Sequence, residues 1–224
     1  MLRIGFVFNC LIFLYSAACS EQNVNPDINR HYEDPNVAQW RGVFERQGRE
    51  IWDQRHEIVR QLRLQPGQTA ADIGAGTGFF TLLMARQVGP KGRVYAVDIA
   101  KNFVDAIVLR AKDEELSNII GVVNDQHSVQ LPPNSIDLAF ISDTYHHFEY
   151  PGSMLRGIHS ALKAGGDLVI IDFRRVAESA SSWVLGHVRA GEQEVIKEVE
   201  ASGFEMIEQL DFMQTQYYLR FRKK

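Results

Sequence analysis

Cysteine is nearly missing from this chain. Of 224 residues only Cys10 and Cys19 carry a thiol, and both fall within the first twenty positions. From there onward no internal disulfide, catalytic thiol or thiolate zinc site is available. The histidines show no cluster at ligand spacing, so no metal site is read from the sequence. Basic charge is not concentrated either. The 24 Lys and Arg stand against 28 Asp and Glu, for a net charge of −4. A nucleic-acid partner would want a cationic face, and the only basic stretch, Arg220 to Lys224, reads as a solvated chain end. There is no internal repeat and no low-complexity tract. A chain that is 45% hydrophobic and 23% charged suits one well-filled core.

No apolar run reaches the length of about 20 residues that a membrane helix needs. The longest, Ile4 to Ala18, has 15 residues, follows a single charge at Arg3, and is interrupted only by Asn9 and Ser16. A positive start, a short apolar core and the small residues Ser16-Ala17-Ala18 describe a secretory signal over residues 1–18, cleaved after Ala18. Cys19 then resembles a bacterial lipoprotein acceptor, although Ser16 stands where that motif prefers leucine. An uncleaved anchor or a merely apolar start are the alternatives. The signal implies an exported, periplasmic or membrane-tethered domain; without its use the domain stays cytoplasmic. Residues 19–35, polar and acidic with three Asn and two Pro between Glu21 and Pro35, read as a flexible tether. One domain, 36–224, remains.

Its informative stretch is Thr69 to Phe80. A short apolar run ending in Asp72 and Ile73 suits a buried parallel strand. Gly74, Gly76 and Gly78 then permit a sharp turn, and Phe79 to Gln87 reads as a helix. Strand, glycine turn and helix N-terminus make a nucleotide cradle of exposed backbone N–H groups. Phe79 stands where a dinucleotide fingerprint wants its third glycine. Asp72 would repel a pyrophosphate but suits a ligand carrying an ammonium group. Asp98, at the end of the strand Arg93 to Ile99 and 26 residues after Asp72, has the register of a ribose-binding acid.

The acid-x-Gly-x-Gly-x-Gly pattern resembles motif I of the class I S-adenosylmethionine-dependent methyltransferases. The resemblance covers about residues 36–224 and implies S-adenosyl-L-methionine as cofactor. It places contacts at Asp72, Gly74, Ala75, Gly76 and Gly78, at Asp98 and Ile99, and at an adenine edge at Asp125, a residue that equally suits a helix or turn cap. Further strands are expected at 119–124, 135–142 and 167–173, with helices at 154–162 and 192–202. The turn Lys163-Ala164-Gly165-Gly166 resembles the family's Lys-Pro-Gly-Gly with Ala164 replacing proline. The runs 204–212 and 216–222 leave no room for a crossover helix and so should pair antiparallel. The fold class is therefore α/β: a Rossmann-like, doubly wound, mostly parallel seven-stranded sheet with an antiparallel last strand.

Class I sites open at the C-terminal strand edges. Candidate catalytic groups are thus Asp143, Tyr145, His146 and His147, which follow the fourth strand; the imidazoles and the phenol suit a proton acceptor. The bland alternative is that the histidines cap or pack the next element. His187 is a further candidate for lining the pocket. Upstream, residues 40–45 and 49–60 form an amphipathic lead-in helix in which Arg41, Glu45, Arg49 and Arg55 are either a carboxylate clamp or a solvated face. The absence of cysteine excludes chemistry resembling arsenite or cytosine C5 methylation, and the amino-methylation signature Asn-Pro-Pro-Tyr is missing. Asp143-Thr144-Tyr145-His146 stands in its place. Tyr145-His146-His147-Phe148 and Gly203-Phe204 look most like the small-molecule, quinone-biosynthesis type, which implies a small organic acceptor. A non-catalytic exported module binding S-adenosylmethionine or a related nucleoside is the alternative. An oxidoreductase using a nicotinamide is disfavoured by Phe79 and the reversed strand. Export would require the cofactor to be supplied from the cytoplasm.

Overall fold

The computed structural model describes residues 28–224; the apolar run at 4–18 and Cys19 lie outside the described residues. Seven strands form one sheet: β1 (Thr69–Ile73), β2 (Arg93–Asp98), β3 (Ile119–Val123), β4 (Ile136–Ser142), β5 (Leu162–Phe173), β6 (Phe204–Leu210) and β7 (Gln216–Lys223), in the order β3-β2-β1-β4-β5-β7-β6. Strands β1 to β5 pair in parallel, and β7 runs antiparallel to both β5 and β6. The expected architecture holds, because a hairpin of two consecutive strands can only insert one of them reversed.

Alternate residues of each strand face opposite sides, so both faces must be covered. Ala70, Val94, Leu138, Phe140, Val169 and Tyr218 pack against α3 (Arg55–Leu62) and α4 (Phe79–Val88). On the same face Ala96 meets Ile107 of α5 (Lys101–Asp113). Ala139, Ile141, Leu168, Ile170 and Phe221 pack against α6 (Pro151–Ala161) and α8 (Glu192–Ala201). Each such side chain taken fully out of water contributes about 1.5–3 kcal/mol, so these two layers hold the strand ends in fixed register.

Three segments differ from the sequence expectation. The lead-in is not one helix but α1 (Val37–Phe44), α2 (Glu50–Asp53) and α3, broken between α1 and α2 around Gly48 at φ +88° and between α2 and α3 at Gln54. The turn at 163–166 is a bulge within β5: Ile136 pairs with Leu162, whereas Leu138 pairs with Asp167. Residues 28–35, read as tether, are packed: Ile28, Asn29 and Pro35 are buried and Arg30–Tyr32 form a 3-10 turn. Asn29 Nδ2 donates to the His147 carbonyl at 3.0 Å and to Glu149 Oε1 at 3.0 Å, which the polarity of the segment did not reveal. A further short helix, α7 (Ser182–His187), follows β5 and is capped by the Ser181 hydroxyl.

The turn after β1 depends on a glycine beneath α5. Gly78 has φ +79°, and a Cβ there would stand 2.5 Å from Ile107 Cγ1. The Gly78→Ala variant is expected to lose about 1–3 kcal/mol through overpacking and left-handed strain. Urea unfolding followed by circular dichroism measures this, and wild-type stability would show that the turn relaxes freely.

Candidate active site

The strand order reverses between β1 and β4, so the connections leaving their C-terminal ends go to opposite faces of the sheet and leave a crevice. A cavity of about 1000 Å³ opens there. One end is the glycine turn. Gly74 N and Ala75 N donate to the Val97 carbonyl at 2.8 and 3.1 Å, holding the turn against β2. Gly74 has φ +75°, and any Cβ would overlap Thr144. Asp98 accepts from Gly76 N through Oδ2 at 2.8 Å and from Ala100 N through Oδ1 at 2.9 Å. Each oxygen keeps a second lone pair for a ligand hydroxyl. Asp72 Oδ2 accepts the Thr81 hydroxyl at 2.6 Å, tying β1 to α4.

Six of the eight expected cofactor positions, Asp72, Gly74, Ala75, Gly76, Asp98 and Ile99, line this end of the cavity. Gly78 does not: it serves the contact with α5. Asp125 reaches the lining but is exposed and caps its own loop, accepting from His127 N, Ser128 N and Gln130 Nε2.

The other end is aromatic. Asp143, Thr144, His146, His147 and Phe148 line it after β4, and Trp183 and His187 of α7 face them. Tyr32, Trp40 and Phe44 pack in sequence from the N-terminal segments as tilted rings, with centroids 4.9 and 5.0 Å apart. Asp143 Oδ2 accepts from Arg49 at 2.8 Å, and Arg49 also donates to the Phe44 carbonyl, so one guanidinium fastens the lead-in to the sheet edge. Burial, only partly offset by Arg49, pushes the Asp143 carboxyl up to about 6. Of the other suggested clamp residues, Glu45 pairs with Arg41 and Arg110, Arg55 lies over the Trp52 ring, and none of Arg41, Glu45 or Arg55 lines the cavity.

Tyr145 is a correction. Its ring is buried, its hydroxyl donates to Glu198 Oε2 at 2.7 Å, and it does not line the cavity. Burial and the Glu198 charge raise its pKa far beyond reach of a proton acceptor. The 3-10 turn 145–147 points the phenol inward and the two imidazoles outward.

His146 is held by Asp172, a residue that the sequence reading missed. The Asp172 carboxylate contacts His146 Nδ1 at 2.8 Å and accepts the His146 and Phe173 backbone N–H groups at 3.0 and 2.8 Å. An acid at a strand's C-terminal end is the signal that marked Asp98, and Asp172 carries it too. Burial opposes charge on His146, but Asp172 as charge and as hydrogen-bond partner, with Asp143, raises its pKa. His147 behaves oppositely: burial, then the neighbouring His146 and His187, push it down to about 2. His146, His147 and His187 form one cluster, which corrects the reading that the chain has no grouped histidines.

The family description "Methyltransferase domain" matches residues 64–220. The chain belongs to the methyltransferase domain family. The family and its fold imply S-adenosylmethionine as the cofactor, and the cradle fits it: an open glycine turn beside a buried strand-end acid, in a cavity large enough for nucleoside and acceptor together. A demethylmenaquinone methyltransferase from Geobacillus sp. (strain WCH70) is 25% identical over 118 residues, 53% of this chain and 50% of that protein. One from Listeria welshimeri is 28% identical over 118 residues, with the same coverage of both chains. The chain thus spans about half the length of these curated relatives. The crystal structure of a SAM-dependent methyltransferase from Aquifex aeolicus has the same fold, with a TM-score of 0.74 at 21% identity, covering 84% of this chain and 99% of that one.

Burial has a measurable consequence in this methyltransferase domain. Burial pushes Asp72 up to about 7, with Asp98 adding repulsion, and pushes Asp98 up to about 6, against an unfolded value of 3.8 for each. Between about pH 4 and 7 the native state therefore holds protons that the unfolded chain has released. The contribution of these groups to stability is full below pH 4 and declines as pH rises to 7. Urea unfolding of the ligand-free protein should show a steeper loss from pH 5 to pH 7.5 in wild type than in Asp98→Asn. Parallel pH profiles would mean that Asp98 titrates normally.

Proposed function

We propose that the domain methylates a small, hydroxylated aromatic molecule of the quinone type. One observation carries this reading: the cradle and the aromatic, imidazole-lined wall belong to a single continuous cavity. The demethylmenaquinone methyltransferases among the relatives support the substrate class. Bound in the cradle, S-adenosylmethionine supplies an electrophilic methyl group on a sulfonium. Asp98 would hold the ribose hydroxyls through its remaining lone pairs, and Asp72, beside the turn, would favour the cationic amino end.

The protein's share of the work is positioning and exclusion of water. Tyr32, Trp40 and Phe44 line the cavity from the N-terminal segments, and Trp183 lines it from α7. A flat acceptor can lie among these rings with its hydroxyl toward His146. Asp172 holds His146 Nδ1, and the Nε2 of this cavity-lining residue is buried and without a partner. A nitrogen presented in this way accepts the acceptor's hydroxyl proton as a hydrogen bond and orients its oxygen.

Asp98→Ala is expected to weaken S-adenosylhomocysteine binding by about 2 kcal/mol or more, roughly 30-fold in Kd, as two buried hydroxyl bonds are lost. Calorimetry on a variant shown to be folded checks this, and unchanged affinity removes the ribose assignment. His146→Ala should bind S-adenosylhomocysteine normally yet turn over roughly 10²–10⁴-fold more slowly with a reduced demethylmenaquinone analogue. Wild-type protein that binds the nucleoside but methylates no reduced quinone in a panel would favour the non-catalytic binding module instead.

The N-terminal run supports a location for this activity. A positive start, a short apolar core, and small residues before Cys19 are the grounds for a mature chain beginning near Cys19, exported or membrane-tethered. Mass spectrometry of protein from its native host tests this. Intact residues 1–18 in a soluble cytoplasmic pool would reject it.

A further inference from the structure

Two distant parts of the chain bring three imidazoles together at the acceptor end of the cavity. His146 and His147 leave the turn after β4, and His187 ends α7. Their ring centroids are 4.3 Å apart for 146 and 147, 5.2 Å for 146 and 187, and 5.1 Å for 147 and 187. One ring nitrogen from each lies within 4.8 Å of the other two. His146 has only Nε2 to offer, because Nδ1 is engaged by Asp172 at 2.8 Å. That Nε2 is buried without a partner, and so is His147 Nδ1. Buried polar atoms are almost always hydrogen-bonded, so two imidazole nitrogens left without a partner within one three-histidine cluster point to a missing ligand.

We propose that His146, His147 and His187 bind a divalent transition-metal ion whose remaining coordination position faces the cavity. The donor set is all imidazole nitrogen. This suits Zn²⁺, Co²⁺, Ni²⁺ or Cu²⁺ and not Mg²⁺ or Ca²⁺, which take oxygen ligands. Three protein ligands leave a fourth tetrahedral position for water or an acceptor oxygen, the arrangement of metal sites that act on a substrate. Asp172 is the carboxylate partner that fixes the tautomer of a ligating histidine, and it is itself held by two backbone N–H groups. Metal–nitrogen bonds of about 2.0–2.1 Å require nitrogens roughly 3.4 Å apart, so the ion must draw the rings inward. His187 has the freedom to move: it is half-buried, at the end of a six-residue helix, and stacked on the exposed Trp183.

The site adds to the methyl-transfer reading and rests on it in one respect, that the acceptor enters this end of the cavity. Without metal, His146 Nε2 takes a hydrogen bond from the acceptor. With metal, that lone pair is spent on the ion, and the ion holds the acceptor's oxygen in its place. Binding of the ion itself needs neither cofactor nor acceptor.

The test uses the full chain, stripped with a chelator and titrated with Co²⁺. Visible absorption characteristic of tetrahedral Co²⁺, saturating at one ion per chain and displaced by Zn²⁺, is the expected result. His187→Ala should abolish the band, Asp172→Asn should weaken Zn²⁺ binding roughly 10–100-fold, and His159→Ala, whose ring packs on Phe204 away from the cavity, should leave both unchanged. Absence of the band, or Zn²⁺ affinity that survives in both His146→Ala and His187→Ala, overturns the site. His187 lies near the surface, so its variant keeps the test meaningful if removal of His146 impairs folding. Calorimetry with S-adenosylhomocysteine on the same samples separates the two proposals. Normal nucleoside binding with no Co²⁺ band removes the metal site alone, whereas a Co²⁺ band without nucleoside affinity removes the cofactor reading alone.

Discussion

Four carboxylates stand at the C-terminal edge of the parallel strands, all buried, and each must be held by a donor for the edge to exist. Asp72 has the Thr81 hydroxyl, Asp98 the backbone of Gly76 and Ala100, Asp143 the Arg49 guanidinium, and Asp172 the His146 ring and backbone. A parallel sheet forces this arrangement, because every strand ends on the same side and its connection starts there. An unpaired carboxylate in such a place costs several kcal/mol, so each acid dictates the conformation of the segment that satisfies it. The glycine turn, the 3-10 turn after β4 and the start of α5 are shaped by these bonds.

The same logic explains how the N-terminal segments come to roof the cavity. Tyr32, Trp40 and Phe44 pack ring against ring, Ile51 enters the core, and a few polar ties set where these segments sit. Arg49 joins the lead-in to Asp143, Glu45 joins it to Arg110 of α5, and Glu50 accepts the Gln214 and Thr215 backbone N–H groups of the β6–β7 connection. Asn29 fastens the preceding residues to the carbonyl of His147. The roof is thus tied to three separate elements of the body. Small losses at any of them would be felt at the mouth of the cavity before they were felt in the core.

Much of the cofactor end is legible in the sequence, because its signals are local. A strand ending in an acid, three glycines at alternate positions and a second acid at the next strand end have meaning within about thirty residues. Asp72, Gly74, Gly76 and Asp98 therefore appear where their pattern places them. Gly78 carries the same pattern for a different reason, since what it avoids is Ile107 on another helix. The aromatic end is hardly legible. Tyr145, His146 and His147 are adjacent and chemically alike in promise, yet a 3-10 turn sends one inward to Glu198 and the other two outward to the cavity.

The sequence by itself determined the order of the strands, the doubly wound sheet with its reversed strand, and the cradle, because hydrophobic period, turn residues and strand-end acids act over short distances. Only the tertiary structure decided what surrounds the far end of the cavity. Asp172 meets His146 across 26 residues, His187 arrives from beyond β5, and Asn29 and Arg49 come from the opposite end of the chain. Such meetings depend on how layers pack on the sheet, and no spacing along the chain encodes them.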